Sequence, residues 1–295
     1  MHYFPIHYNE PLFRPPAEAY SVIFQITLGC SWNKCTFCEM YQSKKFRVRK
    51  TDEVFPEIET MADFNPGVKR IFLADGNAFV LSAEKLIPYL DKINQHFKGL
   101  QRISSYALPS DILAKSSEEL IEIRNKGLKL LYIGIESGDN DVLKMIHKSE
   151  THESMTQGIL KAQAAGFDTS IMILNGLGGK KYSRQHALNS AKIINAINPK
   201  FLSTLTLSFP HGSEHFKEKL NEDFQALSVK ELFEELKIFI ENIDTTNVIF
   251  RSNHVSNNIN LNGTLSKDKE ALLETLARAI AQTPEGIMPP DYGFL

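Results

Sequence analysis

Three cysteines that lie close together in the sequence are the residues best suited to chemistry. They are Cys30, Cys35 and Cys38, spaced C-x4-C-x2-C, and the chain contains no other cysteine. An odd, sparse set of cysteines does not form a disulfide framework. Thiolates in one short loop are soft ligands that favour zinc, copper(I) or an iron–sulfur cluster. The spacing therefore predicts a metal centre in this loop.

Three interpretations of the cysteine loop remain open at this point. A structural zinc site takes four protein ligands, so His7 or His211 would have to complete it. A plant-type [2Fe–2S] site needs a fourth cysteine, whereas a [4Fe–4S] cluster on three cysteines leaves one iron open to another ligand. The cysteines could also be ordinary buried residues, although the nearby Lys34, Lys44 and Lys45 argue against this.

Polar residues follow six predicted strands at the points where the strands end. In a parallel α/β barrel the carboxyl ends of the strands share one face and form the active site. Besides Cys30 after the first strand, the groups are Asp75-Gly76-Asn77, Tyr106 to Pro109, Glu136-Ser137-Gly138, Asn175-Gly176 and Pro210-His211-Gly212. Together with the thiols they predict a single site.

Short apolar runs with little alternation predict strands that are buried on both faces. They cover residues 21–27, 69–74, 102–106, 130–135, 168–174 and 201–208, with a weaker run at 247–250. Helical patterns separate the runs, at 52–64, 118–125, 155–165, 183–197, 229–243 and 266 to 281. Strands that alternate with helices predict a partial or complete parallel (β/α) barrel of about six βα units, with an open doubly wound sheet as the alternative.

Two details make the predicted helices more specific. The first helix carries an apolar face, and Ser228 with Glu231 predicts a capping box at the start of the fifth. The face consists of Val54, Ile58, Met61 and Ala62. We expect an N-terminal arm over residues 1–20, the barrel over 21–242 and a C-terminal extension over 243–295.

Composition excludes several classes of protein. Hydrophobic residues make up 42% and charged residues 23% of 295 residues, which is ordinary globular composition. Lys and Arg number 33 against 35 Asp and Glu, so the basic excess of a general nucleic-acid-binding surface is missing.

We see no apolar run near the roughly 20 residues of a spanning helix and no secretory signal. These features predict a cytoplasmic protein without a membrane segment.

Several motifs, taken together, resemble the radical S-adenosylmethionine (SAM) superfamily. They are Thr27-Leu28-Gly29-Cys30 through Phe37-Cys38-Glu39-Met40-Tyr41, Phe72-Leu73-Ala74-Asp75-Gly76-Asn77, Tyr132 to Gly138 with Val142-Leu143 and Lys148, and Gly176-Leu177-Gly178-Gly179. They look like the subgroup of oxygen-independent coproporphyrinogen oxidases, methylthiotransferases and the elongator catalytic subunit. The chain departs from the common C-x3-C-x2-C spacing by one residue, and it has Asp75 and Asn77 where Gly and Glu are commoner.

The resemblance implies a [4Fe–4S] cluster on the three cysteines, with SAM chelating the fourth iron. One-electron reduction would cleave SAM to methionine and a 5′-deoxyadenosyl radical, which would abstract hydrogen from a small or medium-sized substrate. An electron donor such as flavodoxin or ferredoxin is implied as a partner. The alternative is a non-catalytic zinc or iron–sulfur scaffold, or an electron-transfer protein.

The resemblance also assigns roles to residues that would bind SAM. Phe37 would contact the adenine, and Gly76 would approach the methionine end. Glu136 would bind the ribose or the amino group, and Lys148 the carboxylate. The remaining expected SAM-binding residues are Asp75, Asn77, Tyr106 and Gly176.

Structural alternatives stand beside these roles. Glu136 could form an ion pair at a strand end, Lys148 could be solvated, and Tyr106 could be a core residue. The basic run of Lys44, Lys45, Arg47 and Arg49 is either a solvated face or a clamp for carboxylates or an acidic reductase. His211 and His254 are possible acid–base groups without an assigned role.

Overall fold

A computed structural model describes residues 5–209, 213–220 and 223–290. The strands are β1 (Val22–Gln25), β2 (Thr27–Leu28), β3 (Arg47–Val48), β4 (Arg70–Ala74), β5 (Arg102–Tyr106), β6 (Leu128–Glu136), β7 (Asp168–Asn175), β8 (Phe201–Thr206), β9 (Ile249–Ser252) and β10 (Leu261–Thr264). The helices are α1 (Thr51–Phe64), α2 (Ala83–His96), α3 (Pro109–Leu113), α4 (Ser117–Asn125), α5 (Asn140–Met145), α6 (His152–Ala164), α7 (Gly179–Ile197), α8 (Glu214–Lys219), α9 (Val229–Glu241) and α10 (Leu265–Gln282).

The described residues divide into two compact units. The first contains residues up to 33, 38–133 and 157–169, and the second contains 34–37, 134–156 and the residues from 170 onward. In the first unit β1, β4, β5 and β6 are parallel neighbours in that order. The small antiparallel pair of β2 and β3 closes the loop that carries Cys30 and Cys38.

The core of the first unit follows the apolar pattern of its sequence. The face of α1 expected to be buried is buried, at Val54, Ile58, Met61 and Ala62. α2, which contains Pro88, was not predicted from the sequence. The helix forms all the same, since Leu86, Leu90 and Ile93 on one face are fully buried.

In the second unit β7, β8 and β9 are parallel, and β10 pairs with β9 in the antiparallel direction. Helix α9 packs on α7 and α10. It begins with the predicted capping box, in which the Ser228 N–H donates to Glu231 Oε2 at 2.7 Å. β10 was not predicted, because its short sequence Leu-Asn-Gly-Thr has little apolar character and forms a strand through pairing.

The predicted fold class is confirmed. Every predicted strand overlaps a parallel strand, and every predicted helix overlaps an observed one. β1 is an edge strand in the first unit and β10 is one in the second, so the described strands do not close into a complete barrel. The arm, barrel and extension boundaries remain a prediction. In the part of the chain that the structure describes, no helix is long and apolar enough to cross a membrane.

Candidate functional site

In the first unit, the end of β4 holds the backbone of the cysteine loop. The Gly76 N–H donates to the Gly29 carbonyl at 3.1 Å, and Asn77 Oδ1 accepts from the Ser31 N–H at 3.2 Å. A Cβ atom on Gly76 would lie 2.5 Å from the Cα and 2.6 Å from the Cβ of Cys30. Only glycine fits at position 76, because any side chain there would overlap Cys30.

The carboxylate of Asp75 joins three segments around the same loop. Asp75 is fully buried and accepts hydrogen bonds from Gln25 Nε2 at 3.1 Å, the Gly29 N–H at 2.9 Å and Lys44 Nζ at 2.9 Å. Lys44 also donates to the Asn9 carbonyl at 2.6 Å. These contacts occupy the Asp75 carboxylate within the protein. The role that the resemblance implies for Asp75 in SAM binding remains a prediction.

The basic run behind the loop is not a uniform solvated face. The side chain of Lys44 is only 5% exposed and forms a buried ion pair with Asp75. Arg47 is exposed and binds the Glu53 carboxylate, and the Arg47–Glu53 hydrogen bond lowers the pKa of Glu53 to about 2. Arg49 binds the Glu57 carboxylate and the Gln25 carbonyl. These contacts hold β3 and α1 together.

A buried carboxylate in the N-terminal segment links β5, which carries Tyr106, to β6. Glu18 is fully buried and accepts from Arg102 at 2.6 Å, from Ser104 Oγ at 2.9 Å and from Tyr132 Oη at 2.7 Å. The Tyr106 ring lies edge-on to Tyr132. Burial, then the nearby charges of Glu18 and Cys38, raise the pKa of Tyr106 well above its usual value. Tyr106 therefore belongs to an aromatic core cluster near a cysteine.

In the second unit, Glu136 and Lys148 form a buried pair at the end of β6. Their side chains are 7% and 6% exposed, and Lys148 Nζ lies 3.3 Å from Glu136 Oε1. Among the described residues the buried Glu136 Oε2 has no hydrogen-bond partner. Burial lowers the pKa of Lys148, but the charges of Glu136 and Cys35 outweigh it and raise the pKa above its usual value.

Gly134 makes room for the Glu136 carboxylate. The two residues lie on the same face of β6, since successive side chains of a strand alternate. A Cβ atom on Gly134 would lie 2.1 Å from Glu136 Oε1. The carboxylate therefore folds back over the glycine, and Glu136 itself has a positive φ of 64°.

Gly138, the last residue of the Glu-Ser-Gly motif, and the following Asp139 have packing and capping roles. A Cβ atom on Gly138 would lie 2.2 Å from the Asn189 carbonyl oxygen, so this glycine lets the strand end approach α7. The Gly138 N–H donates to Ser190 Oγ at 2.9 Å. Asp139 caps the start of α5 by accepting from two backbone N–H groups. These contacts hold the turn after β6 against α7 and the start of α5.

The middle of the cysteine loop is anchored on the end of α5. The N–H of Thr36, between Cys35 and Phe37, donates to the Ile146 carbonyl at 3.0 Å. Phe37 is half-buried, as are Cys30, Cys35 and Cys38, which form no disulfide. The predicted contact of Phe37 with adenine remains a prediction.

Gly176, at the end of β7, is held by a residue that the sequence analysis missed. Its φ is +85°, and its N–H donates to Glu235 Oε1 on α9 at 2.6 Å. Glu235 is 1% exposed, and burial raises its pKa to about 7. A glutamate among the apolar residues Leu232, Phe233 and Leu236 is the signal that could have identified it.

The second unit contains a cavity of about 340 Å³. It is lined by Met145, residues 178–182 and residues 223–225. Of the two histidines without an assigned role, His254 is half-buried and lies 2.8 Å from Ser256 Oγ through Nδ1. His211 lies outside the described residues.

Several curated proteins are similar to part of the chain, and two of them are described here. The heme chaperone HemW of Bacillus subtilis is 26% identical over 133 residues, which cover 44% of this chain and 35% of that protein. A putative methylthiotransferase of Methanocaldococcus jannaschii is 26% identical over 155 residues, which cover 50% of this chain and 33% of that protein. The similar segment is thus about a third of the length of each relative.

Solved structures share the fold. Coproporphyrinogen III oxidase (HemN) from Escherichia coli matches with a TM-score of 0.57 and 17% identity, covering 75% of this chain and 51% of that one. The archaeal Methanocaldococcus infernus Elp3 matches with a TM-score of 0.51 and 14% identity, covering 77% of this chain and 58% of that one. The expected resemblance to these subgroups is confirmed.

Residues 24–192 match the radical SAM superfamily, and this segment is more than half of the 295-residue chain. The segment contains the cysteine loop, the end of β4 and the Glu136–Lys148 pair described above. The chain belongs to the radical SAM superfamily, whose members are mostly enzymes that use a [4Fe–4S] cluster and SAM.

Proposed function

We propose that this chain cleaves SAM reductively at a [4Fe–4S] cluster and uses the 5′-deoxyadenosyl radical to abstract hydrogen from a substrate. The observation that carries the proposal is the buried Glu136 oxygen, which has no partner among the described residues. A buried acceptor of this kind costs free energy unless a ligand supplies the donor. The Lys148 ammonium beside it is a complementary group for a carboxylate.

The three cysteine thiols, which form no disulfide, would supply the donors that a [4Fe–4S] cluster needs. Cys30, Cys35 and Cys38 would each hold one iron, and the fourth iron would be left to SAM. When bound, the cluster supplies the electron that breaks the sulfonium bond of SAM. Within the described residues, no three His, Cys, Asp or Glu side chains lie close enough together to hold a single metal ion.

The other residues would bind SAM and orient it. Glu136 would accept from its amino group or ribose, and Lys148 would donate to its carboxylate. Phe37 would contact the adenine. Gly76, with the neighbouring Asp75 and Asn77, would approach the methionine end, while Tyr106 and Gly176 complete the expected set. The buried surroundings of Glu136 and Lys148 keep water away from the polar end of SAM and strengthen these contacts.

The substrate is proposed to be a small or medium-sized organic molecule. The cavity of about 340 Å³ lies in the range of small-molecule sites. Oxidation of a tetrapyrrole is one candidate reaction, since HemN is a structural neighbour. RNA modification is disfavoured by the net charge of -2. Flavodoxin or ferredoxin is the proposed electron donor, and the cytoplasm the proposed location.

Anaerobically reconstituted protein tests the proposed function. We expect about four irons per chain, an EPR spectrum of the reduced cluster that changes when SAM is added, and formation of 5′-deoxyadenosine after reduction with dithionite. Zinc in place of iron, or a cluster whose spectrum ignores SAM, would favour the non-catalytic scaffold or electron-transfer protein instead.

Loss of the Glu136 carboxylate should weaken SAM binding without removing the cluster. Glu136→Ala deletes the acceptor, and Gly134→Ala pushes it out of place because the new Cβ would overlap Oε1. We expect the Kd for SAM to rise at least about 10-fold in both variants, as for the loss of a buried charged hydrogen bond. Equilibrium dialysis gives the Kd, and iron analysis should give the wild-type value. Loss of iron in Glu136→Ala would contradict the role assigned to this residue.

A further inference from the structure

Two buried residues of the second unit are not used by the proposed mechanism. Glu235 lies in the middle of α9, and His186 lies on α7. Each is 1% exposed. Glu235 Oε1 accepts from the Gly176 N–H at 2.6 Å, and the Ser183 side chain also hydrogen-bonds to this carboxyl. An ionisable side chain in such a place is costly to bury, so its contacts need an explanation.

His186 connects the ends of two strands and lies near Glu235. Its Nε2 lies 3.8 Å from Glu235 Oε1, its Nδ1 lies 2.8 Å from Ser137 Oγ, and the ring hydrogen-bonds to the Leu174 backbone. Burial lowers the pKa of His186 to about 4, so the ring is neutral near pH 7. A neutral imidazole has one N–H, which donates to the Leu174 carbonyl, and Nδ1 then accepts from the Ser137 hydroxyl.

Ser137, His186 and Glu235 have the residue types of a hydrolytic triad, but their burial excludes that role. Ser137 is fully buried, so its hydroxyl cannot reach a substrate. Its Oγ also accepts from the Asp139 N–H at 3.0 Å, which fixes the hydroxyl within the turn after β6. His186 instead forms a buried connection between Ser137, which follows Glu136, and Leu174 near the end of β7. Glu235 holds the N–H of Gly176, two residues beyond Leu174.

These contacts constrain the backbone of Gly176. Gly176 has a left-handed φ of +85°, which a glycine leaves easily because it has many accessible conformations. The Glu235 carboxyl satisfies its buried N–H and so selects one conformation. Asn175 Nδ2 donates to the Leu232 carbonyl at 3.1 Å, which adds a second link from the same loop to α9.

We propose that Glu235 and His186 are positioning residues for SAM, which act by holding the Gly176 loop in register with the strand end that carries Glu136. This inference rests on the proposed function, because it assumes that Gly176 and Glu136 both face SAM. Glu235 acts through the Gly176 backbone, and His186 acts through Ser137 and Leu174. Neither residue touches the cofactor.

Paired substitutions at positions 235 and 234 test the proposal on the reconstituted protein. Glu235→Gln keeps an acceptor for the Gly176 N–H, whereas Glu235→Leu removes it at similar volume. We expect Glu235→Leu to raise the Kd for SAM about 10-fold and Glu235→Gln to restore binding to within about 3-fold of wild type. Glu234 is the exposed neighbour, and Glu234→Leu should bind SAM as wild type does.

Three further readouts separate positioning from a general loss of structure. Iron content, the thermal midpoint and the EPR spectrum of the reduced cluster without SAM should stay close to wild type in Glu235→Leu, while the SAM-induced spectral change requires more SAM. Ser137→Ala breaks the connection at its other end and should also raise the Kd, which covers the case that Glu235→Leu does not fold.

The proposal is overturned if Glu235→Leu and Ser137→Ala bind SAM as tightly as wild type. It is also overturned if their Kd changes only in proportion to lost iron, or if Glu235→Gln is as weak as Glu235→Leu. A wild-type protein whose cluster ignores SAM would instead refute the proposed function, and with it the premise of this inference.

Discussion

Gly76→Ala is expected to prevent cluster assembly almost as completely as removal of Cys30 itself. The added Cβ would lie 2.5 Å from Cys30 Cα and 2.9 Å from the Gly29 carbonyl oxygen, and both of these are backbone atoms that no rotamer change can move. Relief of the overlap requires the cysteine loop to leave the end of β4, which also breaks the Gly76–Gly29 hydrogen bond. The iron content of the reconstituted variant should fall from about four to below about one atom per chain.

Gly67→Ala provides the matched control for this prediction. Gly67 is exposed, and a Cβ there would meet only Asn65 Oδ1, at 3.7 Å. This variant should bind iron as wild type does, while Cys30→Ala defines the lower limit. Normal iron content in Gly76→Ala would show that the loop can hold its cluster away from β4, and the anchoring described here would be wrong.

Lys44→Met should destabilise the chain more than any other single lysine substitution near the cysteine loop. It leaves the fully buried Asp75 carboxylate without its counter-ion, and breaking a buried pair in this way costs about 3–5 kcal/mol. Unfolding in urea, followed by circular dichroism on cluster-free protein under reducing conditions, measures the loss. Lys45→Met is the control, because Lys45 is exposed and its removal should change stability by less than about 0.5 kcal/mol.

A double variant sharpens the interpretation. Lys44→Met combined with Asp75→Leu removes both charges, so its loss of stability should be smaller than the sum of the two single losses. Additive losses would mean that the pair contributes little coupling. A Lys44→Met variant no less stable than Lys45→Met would show that the Gln25 and Gly29 hydrogen bonds alone support the Asp75 carboxylate.

Local sequence patterns predicted most of the helices and strands, but they did not predict contacts between residues that are distant in the sequence. The apolar face of α1 and the capping box at Ser228 depend on residues within a few positions, and both were predicted. Glu18 finds Arg102 and Tyr132 on distant strands, and no local pattern in an N-terminal arm indicates such partners. The start of α7 was missed because its first residues, Gly179 and two lysines, have no apolar periodicity.

The same distinction applies to the site. The motifs of the cysteine loop and the strand ends resemble those of the radical SAM superfamily, and this expectation was confirmed. They could not show that a side chain at position 76 would overlap Cys30 or that Lys44 forms an ion pair with Asp75. They also could not show that Glu235 accepts a hydrogen bond from the Gly176 N–H. Each of these facts depends on tertiary neighbours, which a single sequence does not display.

The anchoring of the cysteine loop has a consequence for the chain after oxidation has removed the proposed cluster. Gly29, Ser31 and Thr36 are held by hydrogen bonds to Gly76, Asn77 and Ile146, none of which involves a thiol. In small zinc domains, by contrast, the metal provides much of the folding free energy and its removal unfolds the chain. We therefore expect a chain that has lost its iron to oxidation to keep a preformed loop, so that repair needs only fresh iron, sulfide and reductant and no refolding.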